Sequence, residues 1–225
     1  MTRKMIVPLL FGVIGTAILI SLGAWQLQRL AWKSEILDEI ETRMKSVPVP
    51  WRMAIEPKVI QFQPVSASGR FTGEELHVLT SVPQVGPGYR VVSAFETDDG
   101  ARILVDRGFI PAADKDALRP AVAVDMIGTV RFPEETDGFT PDPDTERNIW
   151  FARDAAAMSK ALNTEHVFVV LTNSSETNPA VTPLPVTQTG IPNNHLQYVL
   201  TWFSLALVWA GMTVFLLWRI RARTL

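Results

Sequence analysis

Two long apolar stretches lie near the ends of the chain. Residues 5–25 and residues 196–218 contain no charged side chain and are 21 and 23 residues long. An α-helix rises about 1.5 Å per residue, so either stretch can cross the roughly 30 Å hydrocarbon core of a bilayer. The pattern therefore predicts two transmembrane helices, over residues 5–27 and 195–218, with the lipid bilayer as a partner.

The first apolar stretch also shares a feature with signal peptides, because Arg3 and Lys4 form a short basic segment before it. It is longer than the usual apolar region of a signal peptide, and no Ala-x-Ala cleavage site precedes Trp25. We therefore expect the stretch to be retained as a membrane anchor.

Basic residues flank the outer ends of both predicted helices. The charged residues in segments 1–4 and 219–225 are all lysine or arginine, which predicts that both termini are cytoplasmic. Arg29 and Lys33, at the other end of the first helix, weaken this rule. Residues 28–194 are then expected to lie outside the cytoplasm.

Small residues recur on one side of each predicted transmembrane helix. Gly12, Thr16 and Gly23 fall near one face of the first helix, and Ala206 and Ala210 form a small-xxx-small pair in the second. This spacing favours packing of the two helices on each other. The ordinary use of glycine and alanine in membrane helices explains it equally well.

The segment between the apolar stretches is predicted to form a β-rich domain. The first helix is expected to continue to about residue 46, because Pro48 and Pro50 end it. Apolar–polar alternation and turn signals predict six strands and one short helix. The strands are expected at 59–65, 75–81, 89–97, 102–110, 125–132 and 166–172, and the helix at 154–162. The predicted fold class is a membrane protein of α+β type, with two transmembrane helices flanking one extracytoplasmic, mainly antiparallel β domain.

Composition narrows the chemistry that this chain can perform. It has no cysteine, which excludes disulfides, thiolate zinc sites, iron–sulfur clusters and covalent haem attachment through CxxCH. A net charge of −2 and a pI of about 5.9 give no reason to expect a nucleic-acid partner. The motifs GxSxG, GxGxxG and HExxH and the P-loop are all missing from the sequence. We therefore expect a protein that is not an enzyme.

Three histidines remain as candidate ligands. His77 and His166 lie in or beside predicted strands, where exposed positions on the domain surface are expected. His195 stands where the segment 191–194 (IPNN) meets the second helix. Asn193 or Asn194 can cap this helix, and its positive N-terminal end disfavours an imidazolium. We therefore expect a neutral His195, which is the form that binds a metal.

The helix face that follows His195 is apolar and aromatic. It suits a flat hydrophobic ring such as a porphyrin, and it consists of Val199, Trp202, Ala206 and Trp209. The helix N-terminus, with Arg29 of the first helix near it, can receive propionate carboxylates. An interfacial aromatic belt formed by Trp25, Tyr198 and Trp202 around His195 explains the same pattern without a ligand.

Several short strings make the sequence recognisable. The two spans carry residues 23–33 (GAWQLQRLAWK) and 193–203 (NNHLQYVLTWF). Between them lie residues 69–71 (GRF), 105–111 (VDRGFIP) and 147–150 (RNIW), the last followed by Asp154. These five strings, in this order and with two correctly placed spans, resemble the Surfeit-locus-one family of cytochrome c oxidase assembly factors. The short basic leader is unlike the long targeting extension of mitochondrial members, which implies a bacterial inner-membrane protein.

The resemblance implies a role in building haem–copper oxidase. Members of the family are associated with receiving haem a and helping to place it in the catalytic subunit of the oxidase, and haem a synthase is a further expected partner. The histidine that opens the second span is the family's proposed haem ligand, and His195 occupies that position. The accompanying cofactor-binding residues are expected to be Trp202, Trp25, Arg29 and Tyr198. A membrane scaffold that binds the oxidase subunit or haem a synthase without carrying a cofactor is the alternative.

More modest roles are expected for the matched residues of the central domain. Gly69 and Gly108 are expected to serve backbone conformation or close strand packing. Arg107 and Asp154 are expected either to form a structural pair or to face a partner.

Overall fold

The computed structural model describes residues 3–55, 60–133, 135–187 and 194–222, with the side chains of Arg3 and Lys4 left undescribed. The chain forms two compact units. One unit comprises Met1–Glu39 and Gln188–Leu225, and the other comprises Ile40–Thr187. Asn193 and Arg223, which enter the predictions above, lie outside the described residues.

Three α-helices occur in the described part of the chain: α1 (Arg3–Met44), α2 (Ala155–Ala161) and α3 (His195–Ala222). Helices α1 and α3 are long and apolar enough to cross a membrane. The extension of α1 beyond its apolar stretch is confirmed, with an end at Met44 shortly before Pro48. Helix α3 begins at His195, as predicted, and its described part extends four residues past the predicted end at Trp218.

Helices α1 and α3 pack against each other in an antiparallel sense. A Cβ atom added to Gly12 would lie 2.1 Å from Thr213, and one added to Gly23 would lie 2.9 Å from the ring of Phe203. Ala206 of α3 is buried as well. The prediction that small residues bring the two helices together is therefore confirmed. Contact at this distance rests on van der Waals packing, which replaces the hydrophobic effect in an apolar surrounding.

Six strands form one mixed sheet in the described part of the second unit. They are β1 (Val49–Pro50), β2 (Pro64–Val82), β3 (Gly86–Thr97), β4 (Arg102–Pro111), β5 (Val122–Val130) and β6 (Phe168–Ser174). The order is β1-β2-β3-β4-β6-β5, and β5 also pairs with β2, so strands β2 to β6 close into a five-stranded barrel. The pairings β2–β3, β3–β4, β2–β5 and β5–β6 are antiparallel, whereas β1–β2 and β4–β6 are parallel.

Strand β2 differs from the expectation of two separate strands at 59–65 and 75–81. It is a single strand from Pro64 to Val82, with a register shift between Phe71 and Glu75. Its first half pairs with both β3 and β5, which allows the sheet to close. The signal was weak because the outward positions carry Ser66, Ser68 and Arg70, and the inward position between Ala67 and Phe71 is a glycine, Gly69. Residues 56–59 lie outside the described part.

The barrel interior and one outer face are both apolar. Phe71 and Phe95 meet edge to face inside the barrel with ring centroids 5.0 Å apart, among side chains from all five closing strands. On the outside, Leu104, Phe168 and Trp150 pack beneath Met158 of α2. Strand β4 is therefore buried on both faces, which explains why apolar residues occupy the consecutive positions 103–105 and 109–110.

Gly108 allows a second segment to cross β4. The backbone N–H of Phe109 donates to the carbonyl of Thr182 at 2.7 Å, and Thr182 returns a bond at 3.0 Å. Gly108 has φ +120°, and a Cβ there would lie 2.0 Å from the Thr182 carbonyl oxygen. A Cβ at Gly69 would lie 2.1 Å from the carbonyl oxygen of Glu96. The expected packing role of both glycines is confirmed.

We predict that Gly108→Ala destabilises the barrel much more than Gly100→Ala. Both glycines have a positive φ, but nothing lies within 4 Å of a Cβ at Gly100. Backbone strain of about 1–3 kcal/mol therefore applies to both variants, and the clash with Thr182 applies to Gly108 alone. Thermal unfolding of the full chain in detergent, followed through the β-sheet signal, compares the two. Equal losses would show that the Thr182 contact contributes nothing.

Candidate functional site

His195 and Gln26 join the two long helices by a side-chain hydrogen bond. The Nδ1–H of His195 donates to Oε1 of Gln26 at 2.7 Å. His195 is the first residue of α3, and the carbonyl of Asn194 already accepts the N–H of Tyr198 at 3.2 Å. Asn194 therefore occupies the N-cap position of α3. It is one of the two asparagines proposed for that position from the sequence.

Gln26 is an unusual residue for its surroundings. It lies at the end of an uncharged stretch of α1, and it is only 9% exposed. A buried amide without a partner costs free energy, so the bond to His195 satisfies a group that the packing has removed from water. Because the Gln26 oxygen accepts from Nδ1, the lone pair of a neutral His195 ring lies on Nε2. This partner was not predicted, because a glutamine in an apolar run has no characteristic spacing that would mark it.

The other candidate residues fall on one side of the helix pair. An α-helix turns about 100° per residue, so Trp25 and Arg29 lie on one side of the α1 face that carries Gln26. Tyr198 lies on the corresponding side of the α3 face that carries Val199. Gly23 and Phe203, which meet each other, lie on the opposite side. In an antiparallel pair this brings four side chains to a common flank beside His195: Trp25, Arg29, Tyr198 and Trp202.

These four side chains are accessible. Trp25 and Tyr198 are each 52% exposed, and Trp202 is half-buried. Arg29 stacks its guanidinium over the ring of Trp32 at 4.3 Å, which holds it at the same end of α1. The flank thus offers aromatic surface with one cation beside it.

The apolar stripe on α3 is a helix contact and is not a free surface. Val199 and Ala206 are buried, and the Trp209 indole lies 2.4 Å from the position of a Cβ on Gly15. The prediction that the whole stripe faces a flat ligand is therefore wrong for these three residues. The same helical spacing serves packing against α1, and Trp202 at the edge of the contact is the member that stays accessible.

The prediction of an exposed His77 is wrong. His77 is 5% exposed, with Nε2 lying 2.8 Å from Oε1 of Glu75 and 3.3 Å from Nη2 of Arg119. The segment around Arg119 and the segment with Trp150, whose N–H bonds the His77 carbonyl, cover this part of β2. His166 is exposed, as expected.

Glu75 is the centre of this buried cluster. Burial on its own would raise the pKa of Glu75, but the hydrogen bonds from His77 and Arg119 and the positive charge of Arg119 outweigh it and lower the pKa. Arg119 is fixed by two further bonds, to the carbonyls of Asp114 and Lys115. The cluster ties strand β2 to the segment that follows β4.

Arg107 and Asp154 do not pair with each other. Buried Arg107 bonds Glu176 at 2.7 Å and lies over the ring of Phe71 at 4.3 Å. Asp154 caps α2, because its Oδ1 accepts the N–H groups of Ala156 and Ala157 at 3.0 Å. Both residues thus have structural contacts within the domain.

Neighbouring Asp106 is fully buried and accepts from two arginines. Arg90 lies 2.6 Å and Arg153 3.1 Å from its Oδ2, and the N–H of Gly108 bonds its Oδ1 at 3.1 Å. Sequence reasoning missed this cluster because its members are far apart along the chain. Among the residues that the structure describes, no group of three or more His, Asp or Glu side chains is placed to hold a metal ion.

The fold and site define a class of protein with two long apolar helices, a β-barrel domain between them in the chain and a histidine at the start of α3. Comparison with known proteins identifies a family. The model of the SURF1 family matches residues 13–207. Human Surfeit locus protein 1 is 34% identical over 211 residues, covering 82% of this chain and 69% of that protein.

Other relatives agree. Surfeit locus protein 1 of Rattus norvegicus is 32% identical over 209 residues, with 82% of this chain and 67% of the relative covered. The SURF1-like protein of Rickettsia prowazekii (strain Madrid E) is 30% identical over 200 residues, covering 84% of this chain and 81% of the relative. The chain belongs to the SURF1 family, which confirms the resemblance seen in the sequence.

We predict that Glu75→Gln removes part of the acid sensitivity of the domain. The pKa of Glu75 is lowered on folding, so its ionised form stabilises the folded state above its unfolded pKa of about 4.3. That stabilisation is lost as the pH falls through the folded pKa. The difference in thermal midpoint between wild type and Glu75→Gln should therefore be largest near pH 7 and shrink below about pH 4.

The control for this measurement is Asp116→Asn, which changes a carboxylate whose side chain is 94% exposed. It should leave the midpoint nearly unchanged at every pH. A gap between wild type and Glu75→Gln that stays constant from pH 7 to pH 3 would contradict the assigned role of the cluster.

Proposed function

We propose that this protein is an assembly factor for haem–copper cytochrome c oxidase, which binds haem a and aids its insertion into the catalytic subunit. Membership of the SURF1 family and the resemblance of its spans to oxidase assembly factors support this function. The protein acts as a carrier and performs no catalysis. Its partners are the oxidase catalytic subunit and haem a synthase, and it has no nucleic-acid partner.

The protein resides in the bacterial inner membrane. Helices α1 and α3 cross the bilayer, both termini are cytoplasmic and the barrel domain is periplasmic. The basic residues at the outer ends of both apolar stretches support this orientation. His195 and Gln26 then lie at the periplasmic end of the helix pair.

The haem hypothesis rests on the hydrogen bond between His195 and Gln26. Ligating histidines generally donate their second ring N–H to an acceptor, which fixes the tautomer and the ring orientation. Gln26 provides this acceptor at 2.7 Å, so Nε2 of His195 is the nitrogen available to iron. The donor chemistry therefore fits a haem group, whose iron His195 would hold through Nε2.

The flank beside His195 supplies the remaining features that a porphyrin requires. Trp25, Tyr198 and Trp202 would offer aromatic surface to a bound porphyrin, and the exposed Arg29 beside them would pair with a propionate carboxylate. One histidine from the chain and the lack of cysteine leave the group exchangeable, as delivery to another protein requires.

A scaffold that carries no cofactor is the second candidate. Two apolar side chains of the domain are almost fully exposed, Leu118 at 95% and Phe139 at 94%. Exposed apolar anchors of this kind favour contact with another protein, such as the oxidase subunit or haem a synthase.

We predict that His195→Ala abolishes most haem binding. The variant removes the Nε2 ligand, so protein purified from cells that make haem a should show a much lower haem absorbance per chain than wild type. His166→Ala, which changes an exposed histidine of the domain, is the control and should retain the wild-type haem content. Unchanged haem content in His195→Ala would contradict the ligand role, and haem missing from wild type would favour the scaffold.

We predict that Gln26 acts as a positioning residue for His195. Gln26→Leu removes the acceptor for Nδ1–H, and loss of such a partner typically weakens binding by about 10- to 100-fold. Gln26→Glu keeps an acceptor, so it should retain haem while lowering the reduction potential, because a carboxylate increases the basicity of the imidazole. Haem titration and potentiometry check both variants. Equal haem affinity for Gln26→Leu and wild type would overturn this role.

A further inference from the structure

A groove lies between α1 and α3 at the ends opposite to His195. It has a volume of about 320 Å³ and is lined by Pro8, Phe11, Trp209, Met212, Thr213, Phe215 and Leu216. The Thr213 hydroxyl is already engaged, because it donates to the carbonyl of Trp209 at 2.8 Å. An incoming molecule therefore meets almost only carbon, over roughly 10 Å of helix length from Trp209 to Leu216.

One end of this groove is apolar and closed. The rings of Phe11 and Trp209 lie 5.4 Å apart, and α1 approaches α3 closely at Gly12 and Gly15. The groove thus has the shape and chemistry of a slot for a hydrocarbon chain that enters from the helix ends.

A positive charge lies at the other end of the groove. Arg219 follows Phe215 and Leu216 by one helical turn, which places it on the face of α3 that lines the groove. Arg221 is two residues further, about 200° around the helix, so it lies on the far side. Both side chains are exposed.

The charge at these helix ends has no acidic counterpart within the helix pair. The sequence contains no Asp or Glu from residue 177 to residue 225, and none before Glu35. Glu35 is about 48 Å along α1 from Arg3 at the rise of an α-helix. No side-chain carboxylate of these two helices therefore lies within reach of Arg219.

We propose that the groove and Arg219 bind one anionic phospholipid. An acyl chain lies along the groove, and the headgroup phosphate pairs with the Arg219 guanidinium. Basic pockets between transmembrane helices on the cytoplasmic side favour such lipids, and an apolar slot with a cation one turn away matches both parts of the molecule. The proposal rests on the membrane crossing proposed above and is independent of haem.

Charge also argues against a second copy of this chain in the groove. Copies inserted with the same orientation bring their basic ends to the same membrane surface, where Arg219 and Arg221 of each copy repel those of the other. A zwitterionic phospholipid fits the slot, but its phosphate is already compensated by its own cation.

The test is native mass spectrometry of the full chain from nanodiscs with equal amounts of phosphatidylglycerol and phosphatidylcholine that carry identical acyl chains. Wild type should retain one phosphatidylglycerol in preference to phosphatidylcholine. Arg219→Gln should lower this retention roughly fivefold, since a basic residue near the surface contributes about 1 kcal/mol to binding of an anionic lipid. Arg221→Gln removes the same charge from the far side and should retain phosphatidylglycerol like wild type.

Several outcomes would overturn the proposal. Equal retention of the two lipids by wild type would exclude selection of an anionic headgroup, and equal losses in Arg219→Gln and Arg221→Gln would indicate general surface attraction. Displacement by glycerol phosphate would show a free-phosphate site that makes no use of the groove. A lipid-free dimer would identify a second copy as the occupant. The lipid measurement does not depend on whether the preparation contains haem, so failure of the haem proposal would not change the interpretation of any of these outcomes.

Discussion

The hydrogen bond from His195 to Gln26 is the contact on which the account of this protein depends. It satisfies a buried amide in an otherwise uncharged part of α1, and it ties the first residue of α3 to α1. The same bond determines which ring nitrogen keeps a lone pair. Helix packing below it, through Gly23 and Phe203, keeps the two helices close enough for the bond to form. The pair formed by His195 and Gln26 therefore has two roles. It holds the two helices together, and it determines which nitrogen of His195 is available for the proposed haem binding.

The barrel domain depends on a different type of constraint. Three charged residues of the described part of this domain are buried, Asp106, Arg107 and Arg119, and each is paired with a residue from another segment of the chain. Breaking such a pair leaves a buried charge without compensation, which costs far more than the pair itself contributes. These ion pairs hold the segments that follow β4 and β6 against the strands of the barrel. Accordingly, matched family residues such as Arg107 and Asp154 have structural contacts and do not gather into a second site.

Some features followed from local pattern and others did not. The apolar helices and the start of α3 at His195 depend on hydrophobicity and on a proline-rich boundary, both of which are local. The single strand β2, the burial of His77 and the Asp106 cluster depend on contacts between segments 44 to 65 residues apart. At His195 the position was predictable, but its Gln26 partner was not, because that bond joins residues 169 positions apart. For Val199 and Ala206 the sequence pattern was visible but its interpretation was wrong. The same helical periodicity is expected of a helix–helix contact and of a ligand-binding face, and these two residues are buried in the helix contact.

The tautomer of His195 reports directly on its hydrogen bond to Gln26. Nitrogen-15 NMR of the full chain labelled at histidine, with the His195 signals assigned by comparison with His195→Ala, distinguishes a protonated from an unprotonated ring nitrogen. Of the two neutral tautomers of the ring, the bond to Gln26 selects the one in which Nδ1 carries the proton and Nε2 carries the lone pair, and this preference should be lost in Gln26→Leu. A wild-type ring that carries its proton on Nε2 alone would contradict this arrangement.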